Sequence, residues 1–321
     1  MIRKNLSTGG CMTFIILDLE WNGVYLKRLR RYFNEIFEIG AVKMNESLEF
    51  VDTFHAVVKP VMSRKLTSAV QNLTGIEENE LKKGIPFSQA ISRLRKWIAD
   101  PSAVIMTWST TDLVVMLDNC KYFLNQDKIP FMKKYADLQA YFHLKMGSAS
   151  SQQTGLGRAC EILGIDSEGM DKHRALDDSI LTGQVFSRIY EKDSFKRFIF
   201  NADEGFYNRL TYKTTIISDI DNEHVDISDL KFKCSICENP LKKTSEWNFK
   251  SRAFYADFIC EACNMAYTAR VQVKLKYDGA ETSKSLAFKT EQTSENTDNP
   301  ENRDFQNKEG SSYEEKEITE N

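Results

Sequence analysis

The sequence predicts an α/β protein, with a mixed β-sheet flanked by helices and a small cysteine-rich β module behind it. Strand-like segments come first and are followed by alternating helical and strand-like segments, an order that favours a sheet covered by helices. Two Cys-x-x-Cys pairs lie in the last third of the chain. With 321 residues, 41% of them hydrophobic, the chain is long enough and apolar enough to bury the cores of two modules.

The first elements are strands. Residues 13–19 (TFIILDL) form an apolar run typical of a strand, and two further runs at residues 36–44 and 48–59 predict a three-stranded meander with it. A helical pattern then runs from Phe87 to Ile98, before a short buried-type strand at residues 103–107.

The elements that follow are mostly helical. Helix-like patterns cover residues 155–163 and run from about Asp177 to Tyr190. Residues 195–200 are typical of a helix end, and residues 214–220 of a strand that leads into the next module.

Charge and composition divide the chain further. The net charge is -3, but residues 279–321 carry 11 acids and 5 bases, so the rest of the chain is at +3, which is no strong footprint for a polyanion. That tail has almost no aliphatic residues and is predicted to be disordered.

No apolar run approaches the roughly 20 residues that span a bilayer, and residues 1–12 hold no signal peptide, so we expect a cytoplasmic protein without membrane contact. The predicted segments are a flexible start at 1–11, a main domain at 12–192, a connector at 193–229, a cysteine module at 230–278 and an acidic tail at 279–321.

Four carboxylates are candidates for one site. A strand period of two puts Asp18 and Glu20 on the same face. Asp112 follows the strand at 103–107 at the start of a helix, and Asp178 lies on the apolar side of the helix that begins near Asp177. Buried acids that converge repel one another unless a cation intervenes. Two Mg²⁺ or Mn²⁺ ions about 4 Å apart would neutralise them and suit phosphodiester hydrolysis. His173 is the candidate general base for the attacking water.

These residues resemble a known family. The order Asp18-x-Glu20, Asp112 after Trp108, and His173 with Asp178 five residues later is similar to that of the DEDDh exonucleases. The segments 38–42 (EIGAV), 73–76 (LTGI), 155–156 (GL) and 163–165 (LGI) support the resemblance, which covers roughly residues 12–192. It implies a ribonuclease-H-like fold with a mixed five-stranded sheet, and removal of nucleotides from the 3′ ends of single-stranded RNA or DNA. It also implies that Asp18, Glu20, Asp112 and Asp178 bind two Mg²⁺ or Mn²⁺ ions while His173 acts as the general base.

Other residues are candidates for contact with the substrate. Trp21 stands where many members of the family have Thr, and either stacks on the terminal nucleotide or packs in the core. Leu73 to Ile76 are candidates for a wedge against that nucleotide, and Leu19 and Trp108 are further candidate contacts. The basic stretch of Lys27, Arg28, Arg30 and Arg31 either binds phosphates or forms a solvated hairpin loop.

The cysteine module predicts a zinc ribbon. Cys234 and Cys237 are followed, after 22 intervening residues, by Cys260 and Cys263. Four thiolates suit tetrahedral Zn²⁺ and leave no open position for catalysis, so this zinc is expected to be structural. Strand-like alternation at residues 247–259 and 265–277 fits a ribbon. Its basic and aromatic residues leave two roles open, nucleic-acid binding or docking of a protein partner.

The pattern as a whole predicts a metal-dependent 3′-5′ exonuclease, with RNA slightly favoured over DNA. Two alternatives remain. A catalytically inactive nuclease fold could serve as a scaffold or nucleic-acid-binding protein through its ribbon, and a structure-specific endonuclease could use the same two-metal chemistry.

Overall fold

The computed structural model describes residues 12–28, 30–63, 65–147, 154–166, 169–170 and 173–289. The chain divides into two compact units after Lys213. The predicted flexible start at 1–11 lies outside the described residues. Among the described residues, no helix is both long and apolar enough to cross a membrane.

The first unit is built on a six-stranded mixed sheet with the order β3-β2-β1-β4-β5-β6. Its strands are β1 (Phe14–Leu26), β2 (Arg31–Met44), β3 (Phe50–Val57), β4 (Val104–Thr107), β5 (Lys134–Asp137) and β6 (Phe200–Asn201). The first three form the predicted antiparallel meander, β4 runs parallel to β1, and β5 runs parallel to β4. The predicted mixed sheet is confirmed. It has one strand more than the five expected, because the two residues of β6 pair with β5, and so short a strand carries no periodic signal.

Helices cover both faces of this sheet. They are α1 (Ser68–Thr74), α2 (Glu78–Lys82), α3 (Phe87–Ile98), α4 (Thr111–Leu124), α5 (Leu138–Met146), α6 (Leu156–Leu163), α7 (Ala175–Ile189), α8 (Lys192–Lys196) and α9 (Glu204–Thr211). The strand period of two divides β1 between two cores: Ile15 and Leu17 pack with α3 and α4, whereas Phe14 and Ile16 pack with α5, α6 and α7. Asp18 and Glu20 continue the alternation of Phe14 and Ile16. Their side chains therefore leave β1 on the face of the sheet that α7 covers.

The second unit is a β-structure. It contains β7 (Thr215–Ile216), a 3-10 helix (Ile227–Leu230), β8 (Lys242–Lys243), β9 (Asn248–Lys250), β10 (Ala253–Cys260), β11 (Met265–Lys276) and β12 (Gly279–Phe288). The order β12-β11-β10-β8 forms the main path, with β7 on β11 and β9 on β10. The alternation that predicted two strands corresponds to β9 with β10 and to β11.

One predicted boundary is wrong. The disordered tail was placed from residue 279, but Gly279–Phe288 forms β12, which pairs with β11 along its whole length. This strand is mostly polar, and its stability comes from backbone hydrogen bonds to β11, which ends only two residues before it and which composition alone does not reveal as its partner. Residues 290–321 of the predicted tail lie outside the described residues. The predicted connector at 193–229 contains the division between the two units, with α8, β6 and α9 in the first unit and β7 in the second.

Candidate active site

The β1 strand presents two acids toward the site. Asp18 pairs in register with Gly40 of β2, and Glu20 pairs with Glu38. Directly after Glu20 the register shifts at a β-bulge, a device that re-aims side chains at the end of a regular ladder.

Asp112 joins these acids from the first turn of α4. Its side chain is only 6% exposed. Thr110, the N-cap residue of α4, makes no side-chain capping bond within the described part of the chain. The backbone amides of Asp112 itself and of Leu19 lower the pKa of the Asp112 carboxyl, against the larger effect of its burial. Asp112 therefore lies in the first turn of α4 and beside β1, the strand that carries Asp18 and Glu20.

His173 and Asp178, at the start of α7, lie close to Glu20 of β1. Glu20, His173 and Asp178 offer ligand atoms that all lie within 4.8 Å of one another. His173 is exposed and adopts φ 65°, a left-handed conformation that costs a residue with a Cβ about 1–2 kcal/mol. Such strain at a polar cluster is typical of a functional site.

The acids of the site interact strongly. Burial, reinforced by the charges of Asp112 and Asp178, raises the pKa of Asp18 well above its ordinary value. Burial raises the pKa of Glu20 to about 8 and that of Asp112 to about 7. The pKa of Asp178 is also raised by burial, against the opposing effect of His173. A cation bound among them would remove this repulsion, so the donor set fits hard divalent metal ions.

Glu38 behaves in the opposite way. Its side chain is fully buried, yet hydrogen bonds from His55 and Arg174 overcome the effect of burial and hold its pKa below its ordinary value. His55 Nε2 lies 2.6 Å from Oε1, and Arg174 contacts both oxygens, with Nε at 3.0 and 3.2 Å and Nη2 at 2.9 Å from Oε1. Arg174 Nη2 also donates to Glu80 at 2.7 Å. This network was not predicted, although an acid between two apolar strand residues, Phe37 and Ile39, is the signal that could have revealed it.

The network sits beside a close approach between β2 and α7. A Cβ at Gly40 would lie 2.1 Å from the backbone carbon of Ala175, so only glycine fits there. Arg174 is the N-cap residue of α7 and follows His173 directly. The buried ion pair and the glycine contact together fix the start of α7 against the sheet, and with it the positions of His173 and Asp178.

The four candidate substrate contacts differ in exposure. Leu19 is 2% exposed and Trp108 is 8% exposed, with its indole N–H donating to the backbone oxygen of Thr154 at 3.1 Å. Burial gives these two side chains a packing role. Trp21 is half-buried against the core and Leu73 is 52% exposed, so these two are the better placed for contact with a substrate.

The second unit brings its four cysteines together. The Sγ atoms of Cys234 and Cys263, and those of Cys237 and Cys260, are 3.5 Å apart, and those of Cys237 and Cys263 are 3.8 Å apart. Zinc–sulfur bonds of about 2.3 Å at tetrahedral angles separate sulfurs by roughly 3.8 Å, so the cluster has the dimensions of a zinc site. A hydrogen bond with the Tyr267 hydroxyl, 3.1 Å from the sulfur, lowers the pKa of Cys234 to about 6, which favours the thiolate that a metal binds.

Comparison with known proteins identifies the family to which this chain belongs. The Exonuclease family model (RNase_T) matches residues 15–186, more than half of the chain. The probable 3′-5′ exonuclease KapD of Bacillus subtilis (strain 168) is 30% identical over 184 residues, which cover 56% of this chain and 85% of that protein. ERI1 exoribonuclease 2 of Homo sapiens is 30% identical over 191 residues, covering 51% of this chain but 26% of that protein. Among solved structures, the nuclease domain of 3′hExo, described as a DEDDh family member bound to rAMP, has a TM-score of 0.49 at 24% identity and covers 56% of this chain and 92% of that one. The chain belongs to the exonuclease family and, as its residues predicted, is a 3′-5′ exonuclease of the DEDDh type, in which divalent metal ions occupy the active site.

Proposed function

We propose that this protein removes nucleotides from the 3′ ends of single-stranded RNA by two-metal hydrolysis with a histidine base. The observation that carries the proposal is the meeting of Glu20, His173 and Asp178 within 4.8 Å, beside the electrostatically linked Asp18 and Asp112. The RNA preference is supported by relatives whose names state exoribonuclease activity, such as ERI1 exoribonuclease 2.

In this proposal the four acids hold two Mg²⁺ or Mn²⁺ ions. The metals would lower the pKa of the attacking water and stabilise the charge on the leaving 3′ oxygen. His173 takes a proton from the attacking water as the oxygen of that water bonds to phosphorus. The bond from phosphorus to the 3′ oxygen breaks, and the released 3′ oxygen takes a proton from solvent. Because His173 is exposed, it can pass this proton to solvent.

The test is digestion of 5′-labelled single-stranded RNA and DNA with Mn²⁺. We expect a ladder that shortens from the 3′ end, faster on RNA, and absent for Asp18→Ala. Asp127→Ala is the matched control, because Asp127 is exposed and forms no ion pair among the described residues. Cleavage of a circular RNA would instead identify an endonuclease, and no cleavage of any strand would favour the inactive scaffold.

The role of His173 needs a separate measurement, since its ring nitrogen lies close enough to the acids to be a ligand. We expect His173→Ala to lower kcat by roughly 10²- to 10⁴-fold while the Mn²⁺ concentration for half-maximal activity stays the same. A large rise in that concentration would make His173 a metal ligand.

For the second unit we propose one structural Zn²⁺ bound by Cys234, Cys237, Cys260 and Cys263. The donor set is closed, so the metal would supply folding energy and take no part in hydrolysis. Nucleic-acid binding and docking of a protein partner remain two open roles for this unit.

A further inference from the structure

The hairpin between β1 and β2 extends beyond the rest of the sheet. The two strands pair from Phe14 with Met44 to Leu26 with Arg31, but β4 joins β1 only at Phe14–Ile16, and the pairing of β2 with β3 ends at Glu38. Past Glu20, therefore, β1 and β2 pair only with each other among the described residues. We call residues 25–32, except Leu29, the arm.

The base of the arm is held by α4. The side-chain amide of Asn119 donates to the backbone oxygen of Asn34 at 2.8 Å, and its Oδ1 accepts from the amide of Ile36 at 3.2 Å. Arg31 forms an ion pair with Asp118 at 2.9 Å. The arm is thus fixed in direction although no third strand supports it.

The tip of the arm is aromatic and basic. Tyr25 and Tyr32 face each other across the two strands with ring centroids 5.2 Å apart, and they are 50% and 74% exposed. Lys27, Arg28 and Arg30 are exposed, and no carboxylate pairs with them within the part of the chain that the structure describes. Unpaired cations beside exposed rings are the combination that binds single-stranded nucleic acid, through phosphates and base stacking respectively.

The arm also continues the strand that carries the acids. Tyr25 lies five residues after Glu20, which corresponds to roughly 17 Å along a strand. Stacked nucleotides rise about 3.4 Å each, so this distance spans roughly five of them, and fewer in an extended strand.

We infer that the arm binds the nucleic-acid strand several nucleotides upstream of the 3′ end held in the active site. This inference rests on the proposed exonuclease function. Phosphates contact Lys27, Arg28 and Arg30, and bases stack on Tyr25 and Tyr32. A nucleic-acid strand too short to reach the arm is bound no more tightly because of it.

The test compares a trinucleotide with an RNA of about twelve nucleotides. For Lys27→Ala/Arg28→Ala/Arg30→Ala we expect KM of the long RNA to rise roughly tenfold and the slope of log KM against log salt to fall by about 2, since each lost phosphate contact on a single strand contributes about 0.7. For Tyr25→Ala/Tyr32→Ala we expect a similar rise in KM with the salt slope retained, and near-parental values for Tyr25→Phe/Tyr32→Phe. For all of these variants kcat, and KM of the trinucleotide, stay at the parental level.

The matched control removes three other exposed cations, Arg95, Lys128 and Lys133. They precede β4 or β5, whose first residues lie at the end of the sheet opposite to the acids. The inference is overturned if this control raises KM as much as the arm variant, if both RNA lengths respond alike, or if the salt slope of the basic variant is unchanged.

The experiment distinguishes failure of the proposed exonuclease function from failure of the arm inference. If the parent protein degrades neither RNA, the proposed exonuclease function has failed, and the arm is tested by fluorescence anisotropy of the labelled long RNA with the same variants. If the parent degrades both RNAs and the arm variants match it on both, only the arm inference has failed.

Discussion

Two buried carboxylates in the first unit differ in what surrounds them. Glu38 meets Arg174 and His55, and its pKa is held below its ordinary value, so it is a satisfied structural ion. Asp18 meets other acids, and its pKa is raised well above its ordinary value. The charge that the fold leaves uncompensated is therefore concentrated where metal ions are proposed to bind.

This repulsion predicts that the site destabilises the metal-free protein. A carboxyl whose pKa is raised by folding favours the folded state at low pH. This advantage is lost as the pH rises from about 4, the pKa of the carboxyl in the unfolded chain, to the folded-state pKa values of about 7 for Asp112 and about 8 for Glu20. We therefore expect Asp18→Asn, without metal, to melt several degrees above the parent at about pH 8, and close to it at about pH 5.

Thermal melting with a chelator, and again with Mn²⁺, provides the measurement. With Mn²⁺ the order should reverse, since only the parent retains all four acids to bind the metal. A metal-free variant that melts below the parent at about pH 8 would contradict this account.

Arg174 predicts a second effect at the scale of one residue. In Arg174→Met the buried carboxylate of Glu38 loses its main partner, and the start of α7 loses its tie to β2. We expect a loss of about 3 kcal/mol in stability, and a roughly tenfold or greater fall in activity and apparent Mn²⁺ affinity.

The control for this change is Arg188→Met, which removes an exposed arginine from the last turn of the same helix. Calorimetry gives the stability, and a Mn²⁺ titration of RNA cleavage gives the activity. If Arg174→Met folds and cleaves like the control, the ion pair does not position the site.

At the scale of elements, the site depends on how closely α7 approaches β2. Gly40→Ala places a Cβ 2.1 Å from the backbone of Ala175, and neither element has a flexible side chain there that could yield. We expect a loss of 4 kcal/mol or more in stability, or no folded protein at all.

Gly157→Ala is the matched change. Gly157 lies within α6, where an added Cβ meets no atom of the described residues within 4 Å, so we expect stability to be unchanged or to rise by about 0.5–1 kcal/mol. Denaturant unfolding of both variants is the measurement. Equal stability of the two would show that the contact between β2 and α7 is not tight.

At the scale of the whole molecule, the two units have separate cores and are expected to respond differently to metals. A zinc-selective chelator, with Mn²⁺ kept in excess, should unfold the second unit, because a structural zinc site of this kind supplies folding energy on the order of 10 kcal/mol. We expect limited proteolysis to degrade the region of β8 to β12 while the first unit persists.

Metal analysis should find about one zinc per chain and none in Cys237→Ser. The control is Cys120→Ala, which removes a buried cysteine outside the cluster and should leave the zinc content unchanged. A chelator-treated protein that resists protease throughout would argue against a structural zinc.

Much of the candidate site was predictable because its signals are local. Asp18 and Glu20 share a face by strand periodicity, Asp178 is placed by helical periodicity, and each Cys-x-x-Cys pair is set by covalent spacing. The three-stranded meander, the helix at residues 87–98 and the strand after it also follow from short-range patterns, and the structure confirms them. It further contains α1, α2, α5, α9, β5 and β6, which were not predicted.

Other features depended on residues that are distant in the sequence. Arg174 and Glu38 are 136 positions apart, and no local pattern joins them. Two other pairings are close in the sequence but are not revealed by composition: β12 follows β11 directly and is stabilised by its ladder with it, and Tyr25 meets Tyr32 because the β1–β2 register aligns them.

Local sequence patterns identify which residues could do the chemistry and which face or helix end carries each, because side-chain periodicity is a property of the backbone within a few residues. The pairing of Glu38 with cations, the lack of such pairing at Asp18 among the described residues, and the extension of the arm beyond the sheet all follow from long-range folding. Burial, pairing and mutual repulsion are set by neighbours that long-range folding brings together, and these neighbours determine the free energy of each charge.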